Sequence, residues 1–282
     1  MRIFIVTDIH GNLPALEAVL ATPQAQTCEK IVSLGDYSGF GPEPLAVRER
    51  LDALHAVMLL GNHEARLHHM QEDAFAGYNW DLARWTAAQL PGYDLEHPID
   101  FRTGSVLMTH GTPGDPFHLI DGQAAQSMLS LLPEDVSLVI SGHNHIPFYV
   151  SDGQRAWINP GSLGMLEDGT GGTAAYAVLT VEETSAHAEV FRVPYDLQKV
   201  FHAYKAQGLH EIAPEMCHAA YLTMRYGLPQ YMLRLVSHVK ETAAVSGLSF
   251  GDAAAWKAAD KTFPWADGLS SHDFWQKGDA TL

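Results

Sequence analysis

Ile3-Phe4-Ile5-Val6-Thr7-Asp8-Ile9-His10-Gly11-Asn12 opens the chain: a short β-type run that breaks off into a carboxylate, an imidazole and a glycine. An apolar run this short, rich in Ile and Val and cut by turn residues, reads as a buried strand. Four later segments repeat the pattern. Ile31–Leu34 ends in Gly35-Asp36-Tyr37, and Ala56–Leu60 ends in Gly61-Asn62-His63-Glu64. Val106–Thr109 ends in His110-Gly111, and Leu138–Ser141 ends in Gly142-His143-Asn144-His145. In α/β sheets the loops beyond the carboxyl ends of the strands gather at one edge. Five distant segments thus bring Asp, Asn and His into one region. Residues two apart in extended chain point the same way, so Asp8 with His10, and His143 with His145, can face one pocket. Any one of these segments would pass for a turn or a cap. Five in order, each behind an apolar run, make a site.

Working outward, helical periodicity covers Leu13–Ala21, Pro44–Leu54, Trp80–Leu90 and Gln123–Leu131. Further strands are expected at Phe148–Val150, Ala156–Ile158, Ala174–Val181 and Ala188–Val193, joined by tight turns such as Ser151-Asp152-Gly153. The order β-α-β-α followed by consecutive strands predicts an α/β (α+β) domain over residues 1–194, with two packed sheets flanked by helices. Residues 195–282 read differently. Asp196–Gln207, Pro214–Tyr226, Pro229–Val245 and Asp252–Lys261 predict a helical C-terminal extension. Three of the six tryptophans, Trp256, Trp265 and Trp275, lie in it. They are expected to dock it onto the first region, cover the edge of the active site or build a dimer face, which leaves a homo-oligomer open.

With 282 residues, 46% hydrophobic and 18% charged, the chain is long enough and apolar enough for a sizeable core. The net charge of −16 is uneven: acidic residues outnumber basic ones 24 to 9 before residue 195 and 9 to 8 after it. Such a field repels polyanions, so a nucleic acid polymer is disfavoured and a small substrate is favoured. Cys28 and Cys217 suffice for neither a disulfide framework nor a four-cysteine zinc site, and both are expected to be reduced thiols. The charge at Arg2 argues against a signal peptide, no apolar run approaches 18 residues, and the expected compartment is the cytoplasm.

Carboxylate, imidazole and amide without thiolate suit divalent Mn, Fe, Zn, Co or Ni. The candidate ligands are more than one tetrahedral ion requires. A carboxylate shared between two ions uses them economically, and two ions about 3.5–4 Å apart can clamp the oxygens of an in-line displacement at phosphorus.

The ordered set Asp8-x-His10, Gly35-Asp36, Gly61-Asn62-His63-Glu64, His110 and Gly142-His143-x-His145 resembles the calcineurin-like metallophosphoesterase superfamily over residues 1–194. The resemblance implies a four-layer αββα double β-sandwich. It implies two divalent metal ions: one held by Asp8, His10, Asp36 and His145, the other by Asp36, Asn62, His110 and His143, with Asp36 bridging. It implies in-line attack of a metal-bridging hydroxide on a small phosphoester, with His63 as the non-ligand histidine near the leaving group.

Gly35-Asp36-Tyr37-Ser38-Gly39-Phe40-Gly41-Pro42-Glu43-Pro44, His110-Gly111-Thr112-Pro113-Gly114-Asp115-Pro116 and Ile158-Asn159-Pro160-Gly161-Ser162 are similar to YfcE-type and diadenosine tetraphosphatase-like members. The implied activities are phosphodiesterase or phosphatase, then dinucleoside polyphosphate hydrolase, protein phosphatase or a metal-bound regulatory module with little turnover. Three departures matter. Protein phosphatases carry Asp-Arg-Gly where Tyr37-Ser38-Gly39 stands. Relatives often continue Asn-Pro-Gly-Ser with Gln-Pro-Arg, where Met165-Leu166-Glu167 stands here, and Glu64 replaces an Asp. Tyr37, Phe40, Arg66 and His118 lie close in sequence to the ligands and are expected to contact substrate. His55, His68 and His69 are expected to be surface or structural, and His187, His202, His210, His218, His238 and His272 show no ligand spacing with a carboxylate partner.

Overall fold

The computed structural model describes residues 1–183 and 185–277. One sheet holds β1 (Arg2–Val6), β2 (Lys30–Ser33), β3 (Val57–Met58), β9 (Thr173–Val181) and β10 (Ala186–Pro194), in the order β10-β9-β1-β2-β3. The other holds β4 (Asp100–Thr103), β5 (Val106–Thr109), β6 (Leu138–Ile140), β7 (Phe148–Ser151) and β8 (Ala156–Asn159), in the order β4-β5-β6-β8-β7. Each sheet has a parallel centre (β1, β2 and β3; β5, β6 and β8) with antiparallel strands outside it.

Strand alternation explains the layering. Ile3 and Ile5 face the second sheet and pack with Val32, Leu34, Met108, Ile140 and Leu179 between the sheets. Phe4 and Val6 point the other way, onto α1 (Leu13–Leu20), α2 (Pro23–Gln26) and α3 (Pro44–Ala53). On the outer face of the second sheet, Val139 and Trp157 are fully buried with Ile120 and Ala125. The result is helices, sheet, sheet, helix: an α/β double sandwich of four layers. The remaining helices of this region are α4 (Asn62–Leu67), α5 (Asp81–Gln89) and α6 (Gly122–Met128).

Among the described residues six helices follow: α7 (Leu197–Ala206), α8 (Leu209–Ile212), α9 (Pro214–Tyr226), α10 (Tyr231–Ser246), α11 (Ala253–Asp260) and α12 (Ser271–Lys277). Their apolar faces form one cluster around Phe201, Tyr221, Trp256 and Trp275, closed against Leu82 of α5 and Met165. The expected helix over Pro214–Tyr226 matches α9 end to end. β4, α2, α4, α8 and α12 were not expected. β4 is an edge strand with the sequence Asp100-Phe101-Arg102-Thr103, too polar to stand out. The last five residues of the expected extension lie outside the described ones. Among the described residues no helix is long and apolar enough to cross a membrane.

Candidate metal centre

β1, β2, β5 and β6 end side by side, and the loops after them turn sharply inward. Asp8, His10, Asp36 and His143 all have φ between +50° and +62°. Such left-handed backbone is uncommon for any residue other than glycine; it costs of order 1–3 kcal/mol per position and persists only where the surroundings impose it. The adjoining glycines make room. A Cβ on Gly61 would fall 2.1 Å from Asp36 Oδ1, and one on Gly142 would fall 1.9 Å from Thr7 Oγ1.

Three sets of ligand atoms result, each within 4.8 Å of one another: Asp8, His10 and His145; His10, Asp36 and His63; Asp36, His110 and His143. Asp36 Oδ2 stands 3.4 Å from His110 Nε2 and 3.9 Å from both His10 Nε2 and His63 Nε2. Asp8 Oδ1 stands 3.6 Å from His145 Nε2. The near atom of the Asn62 amide lies 3.0 Å from Asp36 Oδ2, 3.0 Å from His143 Nδ1 and 3.1 Å from His110 Nε2. Turned one way, the amide nitrogen donates into this group and its oxygen accepts from Arg66 Nη1 at 2.6 Å. Turned the other way, the amide oxygen joins the acceptors.

The outer nitrogen of each ligand-type histidine fixes its tautomer. His10 Nδ1 and His110 Nδ1 each donate to a backbone carbonyl, of Ser38 and Leu34, at 3.1 Å. His143 Nε2 donates to the Phe117 carbonyl at 3.3 Å, and His145 Nδ1 donates to Glu167 Oε1 at 3.1 Å. In all four the inner nitrogen points into the cluster, where a neutral ring offers its lone pair; the inner nitrogens of His10 and His145 face each other at 3.0 Å. The outer hydrogen-bond partners thus sit as a metal site requires, and the donor set fits divalent cations.

The electrostatics agree. Burial opposes the charge on Asp8, but the hydrogen bond to His145 and the nearby His110 and His145 hold its carboxyl well below the usual range. Burial likewise works against ionised Asp36, and His110 and His63 overcome it, so its pKa also falls. Burial pulls His110 and His145 down, yet their carboxylate neighbours raise them to about 9 and about 10. Burial and the neighbouring imidazoles push His10 down to about 3, and burial and His110 push His143 down to about 4. His110 and His145 thus hold a proton in the free cluster, and a bound cation would have to displace it.

His63 shares a ligand set with His10 and Asp36 and lies at the open edge of the cluster. Its backbone N–H donates to Asp36 Oδ1 at 2.9 Å, while its ring forms part of the wall of an open cleft. That cleft, about 580 Å³, is bounded by Asp36, Asn62, His63, Arg66, His143 and His145, among others. Phe40 also lines it, against His63 with ring centres 4.8 Å apart.

Two of the expected substrate contacts are corrected. Tyr37 is fully buried in the core beneath the first sheet, and its hydroxyl accepts from Arg48 Nη1 at 3.1 Å. His118 is exposed and does not line the cleft. The side chain after Asp36 points into the core because the backbone reverses at Asp36, a turn that proximity in sequence does not show.

Sequence reasoning also passed over the supports of the site. Glu64 is buried and accepts the N–H of Asp36 at 2.8 Å, the N–H of Ser38 at 3.0 Å and the Ser38 hydroxyl at 2.6 Å. Asn159 donates to the carbonyls of Gly142 and Asn144 and so shapes the Gly-His-Asn-His loop. Glu167 holds His145 and accepts the N–H of Gln230 at 2.6 Å. Gln230, Met232 and Leu233 form one wall of the cleft, so the C-terminal helices reach the site. The signal for Glu167 was present only as a departure from the motif of relatives.

A fold of two mixed sheets whose strand ends converge on Asp, Asn and His defines a class, and the comparisons agree with it. The sequence profile of the calcineurin-like phosphoesterase superfamily domain matches residues 1–184. The chain belongs to that superfamily and is a metal-dependent phosphoesterase. It is 28% identical to the phosphodiesterase YfcE of Escherichia coli over 189 residues, covering 64% of this chain and 87% of that one. It is 27% identical over 227 residues to an uncharacterised protein of Methanocaldococcus jannaschii, covering 71% and 90%. The crystal structure of a metallophosphoesterase from Sphaerobacter thermophilus superposes with a TM-score of 0.65 at 27% identity, matching 78% of this chain and all of that one.

Proposed function

We propose that the chain holds two divalent cations and hydrolyses a small phosphodiester. Asp8, His10, Asp36 and His145 would hold one ion, and Asp36, Asn62, His110 and His143 the other, with Asp36 shared. When bound, such a pair acidifies a water and neutralises charge on the phosphoryl oxygens. The residues of the chain do the rest. Asp36 is fixed by Glu64 through the backbone and by the His63 N–H. His63 stands at the open side of the cluster, where it can carry a proton to the departing oxygen. Arg66 follows His63 on α4 by one helical turn and faces the same cleft, where it meets the charge of the phosphate.

The observation that carries this reading is how the histidines are aimed. Four of them have their outer nitrogens engaged by protein oxygens and their inner nitrogens gathered around two buried carboxylates. Diester over monoester is favoured by the 28% identity to a protein named as a phosphodiesterase. The test is turnover of bis-p-nitrophenyl phosphate and p-nitrophenyl phosphate after stripping with chelator and reloading with Mn. Diester hydrolysis that disappears with the metal and returns with it is expected. Undiminished turnover in the stripped protein would overturn the reading.

A further inference from the structure

A second cavity adjoins the cleft. Phe40, His63 and Arg66 line both, so the two meet at the side of the centre where His63 stands. Beyond that junction the walls are Asn79, Trp80, Leu82, Thr86 and, from α9, Met216. The cavity measures about 140 Å³. An apolar cavity of about 150 Å³ accepts one benzene-sized ring. Phe40 and Trp80 line it, and aromatic side chains give a flat group surface to stack on.

One polar group in this wall has room for a partner. The Asn79 carboxamide makes no hydrogen bond among the described residues; its oxygen lies over the backbone of Gly77 and Gly251, and its nitrogen is a donor a ring carbonyl can use. The Thr86 hydroxyl is already engaged by the carbonyl of Leu82 at 2.9 Å. No carboxylate lines the cavity, and its single cation is Arg66, at the phosphate side.

We propose that this cavity receives the departing group of the substrate, a pyrimidine nucleoside whose ring enters between Phe40 and Trp80 and whose edge pairs with Asn79. The proposal rests on the phosphodiester reading above and names its substrate class. Water adds to phosphorus, the bond from phosphorus to the nucleoside oxygen breaks, and that oxygen leaves with a proton as the free nucleoside. The other ester stays on phosphorus as a phosphomonoester.

The position of the cavity makes the products diagnostic. With uridine 5′-methyl phosphate as substrate, the Mn-loaded enzyme is expected to release uridine and methyl phosphate. Release of uridine monophosphate and methanol would overturn the assignment. Ala83 also lines the cavity, and Ala83→Phe fills it without touching a metal ligand. The ratio of kcat/KM for uridine 5′-methyl phosphate to that for glycerophosphoethanolamine, a diester without a ring, is expected to fall at least about tenfold in that variant. Asn79→Leu, which keeps the shape of the wall, is expected to lower the ratio about fivefold and serves if Ala83→Phe does not fold. An unchanged ratio in a folded variant overturns the proposal while leaving the phosphodiester reading intact. If no diester is turned over, that broader reading has failed instead. The cavity is then read by saturation-transfer NMR of uridine with metal-stripped protein. Binding lost in Ala83→Phe supports the subsite, and no binding to the unmodified protein contradicts it.

Discussion

Histidine is buried in two regions of this molecule, and the two environments are opposites. At the strand ends, His10, His110, His143 and His145 each give one nitrogen to a protein oxygen and turn the other toward carboxylates. In the C-terminal helices, His218 is sandwiched between Trp265 and Phe274, with ring centres 4.2 and 4.1 Å away. Both of its nitrogens are occupied, by Ser271 Oγ at 3.1 Å and by Asp267 Oδ2 at 3.0 Å. Its pKa falls because burial outweighs Asp267, whereas His110 and His145 are raised by the carboxylates around them. A buried imidazole whose second nitrogen faces carboxylates asks for a cation, a proton or a metal ion. One with both nitrogens satisfied is a piece of core. Burial and residue type alone do not separate the two.

The comparison breaks most readily at Asp36, the carboxylate common to two of the three ligand sets. Asp36→Ala is expected to lose bound metal and at least about 10³-fold in kcat/KM, roughly 4 kcal/mol of transition-state stabilisation. Metal analysis beside a rate assay reads both losses in one sample. His218→Ala tests the other region. It removes a stacked ring from between Trp265 and Phe274 and leaves Asp267 without that partner, at a cost of about 3 kcal/mol in stability. Metal content is expected to stay at the unmodified level, as a thermal melt and metal analysis of one preparation would show.

The support of the cluster gives a smaller effect. Glu167→Gln keeps the shape but weakens the acceptor for His145, so metal affinity is expected to fall about 10- to 100-fold. Competition with a chelator measures it. The smallest effect concerns pH. The folded-state pKa of His218 lies below its usual 6.5. The unfolded chain therefore binds more protons there, and stability is full above about pH 6.5 and falls as the pH drops below it. Denaturant melts at pH 7 and pH 5 are expected to differ less in His218→Gln than in the unmodified chain.

How much the sequence disclosed follows the same division. The five strand ends were legible because a short apolar run and the polar residue ending it are adjacent in the chain. The ligand candidates at those ends do come together in space. The partners that orient them were not legible: Glu167 meets His145 from 22 positions away, and Asp267 meets His218 from 49. No local pattern encodes such pairings. Tyr37 was misread for the complementary reason, since it adjoins Asp36 in sequence while the turned backbone sends its ring into the core. The part played by the C-terminal helices in the cleft rests on Gln230, Met232 and Leu233, which carry no motif.

The central claim is that the strand-end cluster is a two-cation centre with His63 outside the ligand set. Metal stoichiometry of the Mn-reconstituted protein and of His63→Ala, measured with turnover on the same samples, tests it most directly. Two ions per chain in both proteins, with turnover lowered about 10²-fold or more in the variant, is the predicted result. Fewer ions in His63→Ala than in the unmodified chain, or full turnover without metal, would contradict it.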